Sequence, residues 1–134
     1  MNARPLRLPP GTDLRAALEA AASAEAGGSA FVVAGIGSLV DARLRFADAH
    51  TATTIAGPVE ILSLAGSLAE NGAHLHMAIA TADGRVFGGH VAYGNTVRTT
   101  AEVLLVVLPD WQLRREPDAA TGYDELVARP RAKD

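Results

Sequence analysis

The 134-residue sequence contains no cysteine, and its aromatic residues are few: one Trp, two Tyr and three Phe. The chain can therefore form neither disulfides nor thiolate metal sites. Basic residues are also scarce, because 12 Lys and Arg stand against 15 Asp and Glu and leave a formal net charge of −3. Since clustered basic charge supplies most nucleic-acid affinity, we expect no direct nucleic-acid partner.

The sequence also lacks an apolar run long enough to cross a membrane. Its first residues do not show the charged start, apolar middle and small-residue cleavage site of a secretory leader. We therefore expect a cytoplasmic, soluble protein without a membrane partner. Hydrophobic residues make up 49% of the chain, enough for the core of one domain, and most are Ala, Val, Leu and Ile. Such small side chains favour a thin body of sheet and helix, which often oligomerises.

The first third of the chain predicts a strand and then a helix. Residues 1–11 form a Pro- and Arg-rich lead-in in which Leu6 and Leu8 alternate as in a short edge strand. Thr12 or Asp13 is expected to cap a helix, because apolar residues follow at helical spacing until Gly27-Gly28.

After the helix, most of the regular structure is predicted to be strand. Residues 111–115 are expected to extend or pair with the last long strand, whereas the polar segment 117–134 is expected to be partly docked or frayed. The long apolar and β-branched stretches predict strands at 30–40, 41–46, 59–68, 74–81, 86–91 and 97–108.

Three of the four histidines, His74, His76 and His90, lie on either side of a short turn. Apolar residues occupy the odd positions on both sides of that turn, which predicts a hairpin with one buried face. The sequence Ala82-Asp83-Gly84 suits a three-residue loop that ends in a left-handed glycine. This loop pairs Thr81 with Arg85, and the register then places His76 directly opposite His90.

A two-residue Asp-Gly loop is the competing turn. It would pair His90 with Met77 and place His90 on the opposite face from His74 and His76. We reject it because it would also move Phe87 and Val91 to the histidine side and divide the apolar set. The three-residue loop therefore predicts three histidines on one face.

Three neutral imidazoles within reach of one another are typical of a zinc site that keeps one position open. Zinc is the first choice of ion, although Ni, Co, Cu and Fe also accept nitrogen ligands. The alternative is that His74, His76 and His90 are polar residues of a subunit interface or hydrogen-bonded core residues. Because three histidines are predicted to converge, we favour the metal site.

Two carboxylates in otherwise apolar strands, Glu60 and Glu102, are the candidates for a catalytic base. An unpaired carboxylate would be expensive to bury there. The alternative for both is an ion pair with Arg98, Arg43 or Arg45, or a hydrogen bond that orients a histidine. His50 has no partner nearby in sequence and is expected to be a surface or loop residue. Whether the chain is an enzyme stays open at this point.

Six motifs in a fixed order resemble the plants-and-prokaryotes-conserved (PPC) domain over roughly residues 4–115. We accordingly divide the chain into a lead-in 1–11, a PPC-like domain 12–116 and the C-terminal segment 117–134. The motifs are Pro-Gly-Thr-Asp-Leu at 10–14, Gly-Ile-Gly-Ser-Leu at 35–39, the glycine-bounded stretch 57–67, His74-Leu75-His76, the segment 83–90 ending in Gly-Gly-His, and Thr100-Ala101-Glu102.

The resemblance implies an α+β domain, with a largely antiparallel sheet flanked by helices, that assembles as a homotrimer. Several stand-alone prokaryotic members keep the His-x-His and Gly-Gly-His motifs and hold a metal ion, zinc as the first choice. Plant members carry an additional basic Arg-Gly-Arg-Pro element for DNA, which Arg4-Pro5 alone does not reproduce. The resemblance thus favours a metal-binding trimer, with a protein-interaction and oligomerisation module as the alternative and a DNA-associated role as a third interpretation.

Overall fold

Ten strands and one helix form the fold in the computed structural model, which describes residues 2–25 and 27–133. In chain order they are β1 (Ala3–Leu8), α1 (Leu14–Ser23), β2 (Ala30–Leu39), β3 (Ala42–Arg45), β4 (Thr53–Ile55), β5 (Val59–Ala69), β6 (Gly72–Thr81), β7 (Val86–Val91), β8 (Val97–Val107), β9 (Trp111–Pro117) and β10 (Asp124–Pro130).

Eight of the strands form one antiparallel sheet in the order β1-β8-β2-β5-β6-β7-β3-β4. Strand β1 lies at one edge of this sheet, as the lead-in predicted. The predicted strands 30–40, 41–46, 59–68 and 97–108 correspond to β2, β3, β5 and β8 with small shifts at their ends. The expectation of several flanking helices was wrong for the part of the chain described here, which contains one helix.

Helix α1 begins at an aspartate cap, because the side chain of Asp13 accepts a hydrogen bond from the backbone N–H of Ala16 at 3.0 Å. Leu14, Leu18 and Ala22 are buried on one stripe and belong to the same core as Leu64 of β5. The helix ends at Ser23, before the predicted stop at Gly27-Gly28. It thus covers one face of the sheet and leaves the opposite face without a helix. It is also too short to cross a membrane, and no longer apolar helix occurs among the described residues.

The C-terminal segment contains a strand that the sequence did not predict. Strand β10 pairs with β9 over its whole length, from Asp124 opposite Pro117 to Pro130 opposite Trp111. The expectation that residues 111–115 extend or pair with the preceding strand was therefore wrong, because β9 and β10 form a separate two-stranded sheet. This second sheet stands at the end of the main sheet where β5 turns into β6.

Glu70, in the turn between β5 and β6, connects the two sheets. Its carboxylate accepts hydrogen bonds from Arg131 at 2.6 Å, Gln112 at 3.2 Å and Arg114 at 3.3 Å. Its backbone N–H also donates to the carbonyl of Leu113 at 2.9 Å. The Arg131 hydrogen bond contributes most to lowering the pKa of Glu70 below its ordinary value of 4.5.

Replacing Glu70 with glutamine is expected to lower the free energy of unfolding by about 1 kcal/mol at neutral pH, because the ion pairs lie at the surface. Since folding lowers the pKa of Glu70, its contribution is present above 4.5 and is lost as the pH falls through the lower folded-state pKa. Urea unfolding of wild type and variant between pH 7 and pH 3 measures this. Asp110→Asn, at an exposed carboxylate with no described side-chain hydrogen bond, is the control. A difference in the free energy of unfolding between wild type and Glu70→Gln that persists at pH 3 would contradict this role of the Glu70 carboxylate.

Candidate metal centre

The predicted hairpin register is confirmed in β6 and β7. His76 lies opposite His90, Met77 opposite Gly89, and the intervening pairs lead to Ala80 opposite Val86. The turn closes as expected, because the Thr81 N–H donates to the Arg85 carbonyl at 2.8 Å. Gly84 has φ = +83°, the left-handed conformation that the three-residue loop requires.

The histidine side chains meet on one face of this hairpin. The Nε2 atom of His76 lies 3.1 Å from Nε2 of His74 and 3.1 Å from Nδ1 of His90. One nitrogen from each ring can be chosen so that all three lie within 4.8 Å of one another. His74 and His90 are half-buried and His76 is exposed, while Leu75, Met77 and Ile79 on the other face are buried. The alternation of the strand thus separates a core face from a histidine face.

These distances suit a shared ion better than hydrogen bonds among the rings. A ring nitrogen carries either one proton or one lone pair, so Nε2 of His76 can make one ordinary hydrogen bond in the ring plane. It nevertheless has two nitrogen neighbours at 3.1 Å. Zinc–nitrogen bonds of 2.0–2.1 Å in a tetrahedral arrangement place neighbouring ligand nitrogens about 3.3 Å apart. The two separations from His76 are close to this value, and the third, between His74 and His90, lies within 4.8 Å. Small rotations of the His74 and His90 side chains would therefore bring all three nitrogens to one ion of this size.

Both half-buried histidines are held in the neutral form that binds metals. Burial lowers the pKa of His74 below its ordinary value of 6.5, and electrostatic interactions with Arg115, His76, Arg45 and Arg15 lower it further. Burial also lowers the pKa of His90, followed by the effects of Arg45 and the other two histidines. At neutral pH each of these two rings consequently has one unprotonated nitrogen with a lone pair.

A cavity of about 840 Å³ opens beside His74 and His90. Its lining includes three arginines from separate elements, Arg15 of α1, Arg45 of β3 and Arg115 of β9. No local pattern in the sequence indicates these arginines, because they meet only when the helix and the second sheet pack around the hairpin. His50 also lines the cavity from the loop between β3 and β4, and its expected loop position is confirmed.

The two carboxylates considered as catalytic bases do not join the histidines. Glu60 lies opposite Ala80, four residues along β6 from His76 and thus about 13 Å away by strand geometry. Glu102 lies on β8, which β2 and β5 separate from β6. Both side chains are exposed, so the premise that they are buried was wrong. Neither forms a salt bridge with Arg98, Arg43 or Arg45 among the described residues.

Gly66 of β5 lies directly against the backbone of His74. Its φ is +153°, and a Cβ added there would lie 2.1 Å from the His74 carbonyl oxygen. Gly66→Ala is therefore expected to lower the free energy of unfolding by about 3 kcal/mol, through backbone strain and overpacking together. Chemical denaturation measures the loss.

Gly84→Ala is the matched control for Gly66→Ala. Gly84 also has a left-handed φ, but a Cβ added there would meet no atom within 4 Å. The control variant should lose only about 1 kcal/mol, the cost of the conformation alone. Equal losses in the two variants would show that contact with the His74 backbone contributes nothing.

Comparison with known proteins finds a family whose model matches most of the chain. The model of the Plants and Prokaryotes Conserved (PCC) domain, the family abbreviated PPC above, matches residues 1–109. The bifunctional protein GlmU of Synechococcus sp. strain JA-2-3B'a(2-13) is 44% identical over 130 residues, which cover 97% of this chain and 21% of that protein. The chain thus spans about a fifth of the length of the curated relatives it matches.

Solved structures share the fold over nearly the whole chain. A hypothetical protein from Salmonella has a TM-score of 0.92 and 38% identity, and the match covers 97% of this chain and 94% of that one. A protein from Archaeoglobus fulgidus described as metal-containing has a TM-score of 0.81 and 25% identity, with 95% and 94% covered. The family model, these relatives and the ordered motifs agree, and the chain belongs to the Plants and Prokaryotes Conserved domain family.

Proposed function

We propose that this protein binds one divalent metal ion, zinc as the first choice, through His74, His76 and His90. The observation that carries the proposal is the position of His76 Nε2, 3.1 Å from a nitrogen of each of the other two rings. The neutral state of His74 and His90 supports it, since only an unprotonated nitrogen binds a metal. The metal-containing relative from Archaeoglobus fulgidus supports it as well.

Zinc held by three imidazoles supplies a Lewis acid with one position left for a small molecule. Neither Glu60 nor Glu102, the two carboxylates that the sequence suggested as bases, lies beside the histidines. We therefore propose metal-dependent ligand binding and assign no reaction. The test is the metal content of protein purified without added metal, compared with that of a His76→Ala variant. Metal in neither sample would exclude the proposal.

We further propose a homotrimer whose subunits meet through the sheet face that α1 leaves uncovered. Register places Ala34 opposite Leu104 and Ile36 opposite Glu102, so these four side chains share that face. Ile36 is 53% exposed and Leu104 is 37% exposed, and Leu62 of the neighbouring β5 is 50% exposed. This surface is largely apolar, although it also carries Glu102. A large apolar surface of this kind marks an interaction site, and a second copy of the chain is the occupant that we propose.

A protein-interaction module is the second candidate function, and the same apolar face favours it. In the Synechococcus relatives the matched region is about a fifth of a longer protein, as expected of a module joined to other activities. A direct nucleic-acid role stays the least favoured proposal, because the net charge is −3. For the compartment we keep the cytoplasm, as expected from the sequence.

A further inference from the structure

The cavity beside the histidines has the size and lining of a small-molecule site. Its volume of about 840 Å³ lies within the range of ligand pockets, which is about 300 to 1,000 Å³. It lies between the main sheet and the second sheet, with His74 and His90 on one side and Tyr123 and Glu125 on the other. The cavity therefore reaches the proposed metal from a partly enclosed space.

Three arginines around this cavity keep hydrogen-bond donors free. Arg45 Nη1 donates to the Ala49 carbonyl at 3.1 Å, and Arg115 Nη2 donates to the Asp124 carbonyl at 3.0 Å. Arg15 donates to two backbone carbonyls, those of Val91 and Ala73, at 3.2 and 3.4 Å. A guanidinium has five N–H donors, so the described side-chain hydrogen bonds leave most of those on Arg45 and Arg115 unused.

No carboxylate among the described residues makes a close ion pair with these three arginines. The shortest separations recorded are 3.9 Å, from Arg15 to Glu19 and from Arg115 to Glu125. Asp48 and Asp124 line the same cavity but are exposed, whereas the three arginines are half-buried. The third carboxylate of the lining, Glu125, has a side chain that is 44% exposed, against 16% for Arg115. The interior of the cavity is thus cationic and its rim is acidic. A divalent ion on the histidines would add further positive charge.

We propose that the cavity binds a small organic carboxylate, with Arg45 and Arg115 holding the carboxylate group beside His74. This inference rests on the proposed metal site and names the class of ligand that would bind beside it. A planar guanidinium matches a carboxylate with two parallel hydrogen bonds, which favours this anion. The organic part of the ligand would contact the ring of Tyr93, which also stacks on the Arg15 guanidinium at 4.4 Å, and the exposed ring of Tyr123.

Calorimetric titration of zinc-loaded protein tests the proposal with benzoate as the probe and benzamide as its uncharged counterpart. We expect benzoate to bind at least about tenfold more tightly than benzamide, a difference of about 1.4 kcal/mol, because charge-assisted hydrogen bonds are roughly twice as strong as neutral ones. Arg45→Gln and Arg115→Gln should each weaken benzoate binding about tenfold or more. Arg98→Gln, an exposed arginine of β8 outside the cavity lining, should leave it unchanged.

The zinc content of every sample, measured by mass spectrometry, separates the two proposals. Zinc-free wild type after loading would exclude the metal site itself. Zinc-bearing protein that binds benzoate and benzamide equally would overturn the carboxylate site alone. A benzoate affinity that neither arginine substitution changes would do the same. Tighter binding of inorganic phosphate than of benzoate would also overturn it. Arg45→Lys, which keeps the charge but not the planar fork, should bind benzoate with intermediate affinity if the site is intact.

Discussion

Replacing His76 with alanine is expected to reduce the metal content from about one ion per chain to none. His76 contributes the central nitrogen of the cluster, so its loss leaves two ligands that face each other across a gap. Loss of a hydrogen bond behind a metal ligand already costs about 10- to 100-fold in affinity, and loss of a ligand should cost more. Elemental analysis of protein purified without added metal measures the difference.

The same substitution should remove the stabilisation that the ion provides. At a free zinc concentration 100 times the dissociation constant, binding stabilises the wild type by about 2.7 kcal/mol, whereas the variant should gain nothing. The fold itself should tolerate the change, because His76 is exposed. His50→Ala is the matched control, since His50 lines the same cavity but is not part of the three-histidine cluster. Loss of metal from this control would contradict the proposed ligand set.

Introducing a charge at Leu104 is expected to convert the assembled protein into monomers. Leu104→Asp places a carboxylate on the apolar face proposed for the trimer, beside Ala34 and close to Ile36. Burying an unpaired carboxylate costs several kcal/mol, and each trimer would bear that cost three times. Size-exclusion chromatography with light scattering should then give 13.9 kDa for the variant and three times that mass for the wild type.

The control for this experiment is Leu126→Asp on β10. Leu126 and Leu104 are the same residue type with the same exposure, 37% in each case, but Leu126 belongs to the second sheet. The control should keep the wild-type mass. A monomeric wild type would exclude the trimer, and equal dissociation of both variants would exclude the proposed face.

The histidine hairpin could be predicted from the sequence because its determinants are local. Alternating apolar residues in β6 and β7 assigned the two faces, and the same pattern decided between the two turn lengths that Asp83-Gly84 allows, so the register of His76 and His90 followed. The cap at Asp13 was equally local, since its hydrogen bond spans three residues. In each case the interacting groups are close in sequence and few arrangements compete.

The carboxylate assignments failed because burial is not a local property. Glu60 and Glu102 lie in apolar strands, which suggested buried positions, yet both point to the uncovered face of the sheet. A strand in the middle of a sheet can carry apolar residues on both faces when its exposed face forms an interaction site. Strand β10 was missed for a related reason, since it pairs with only one neighbour and carries mostly polar or exposed residues.

By itself, the sequence determined the three histidines, their common face and the family to which the chain belongs. Each of these follows from spacing, alternation or ordered motifs that a linear chain already contains. Only the tertiary structure decided what surrounds the histidines, because Arg15, Arg45 and Arg115 come from a helix and two different sheets. Their meeting depends on strand order and on the docking of the second sheet, which are long-range packing outcomes with no signature at any one position.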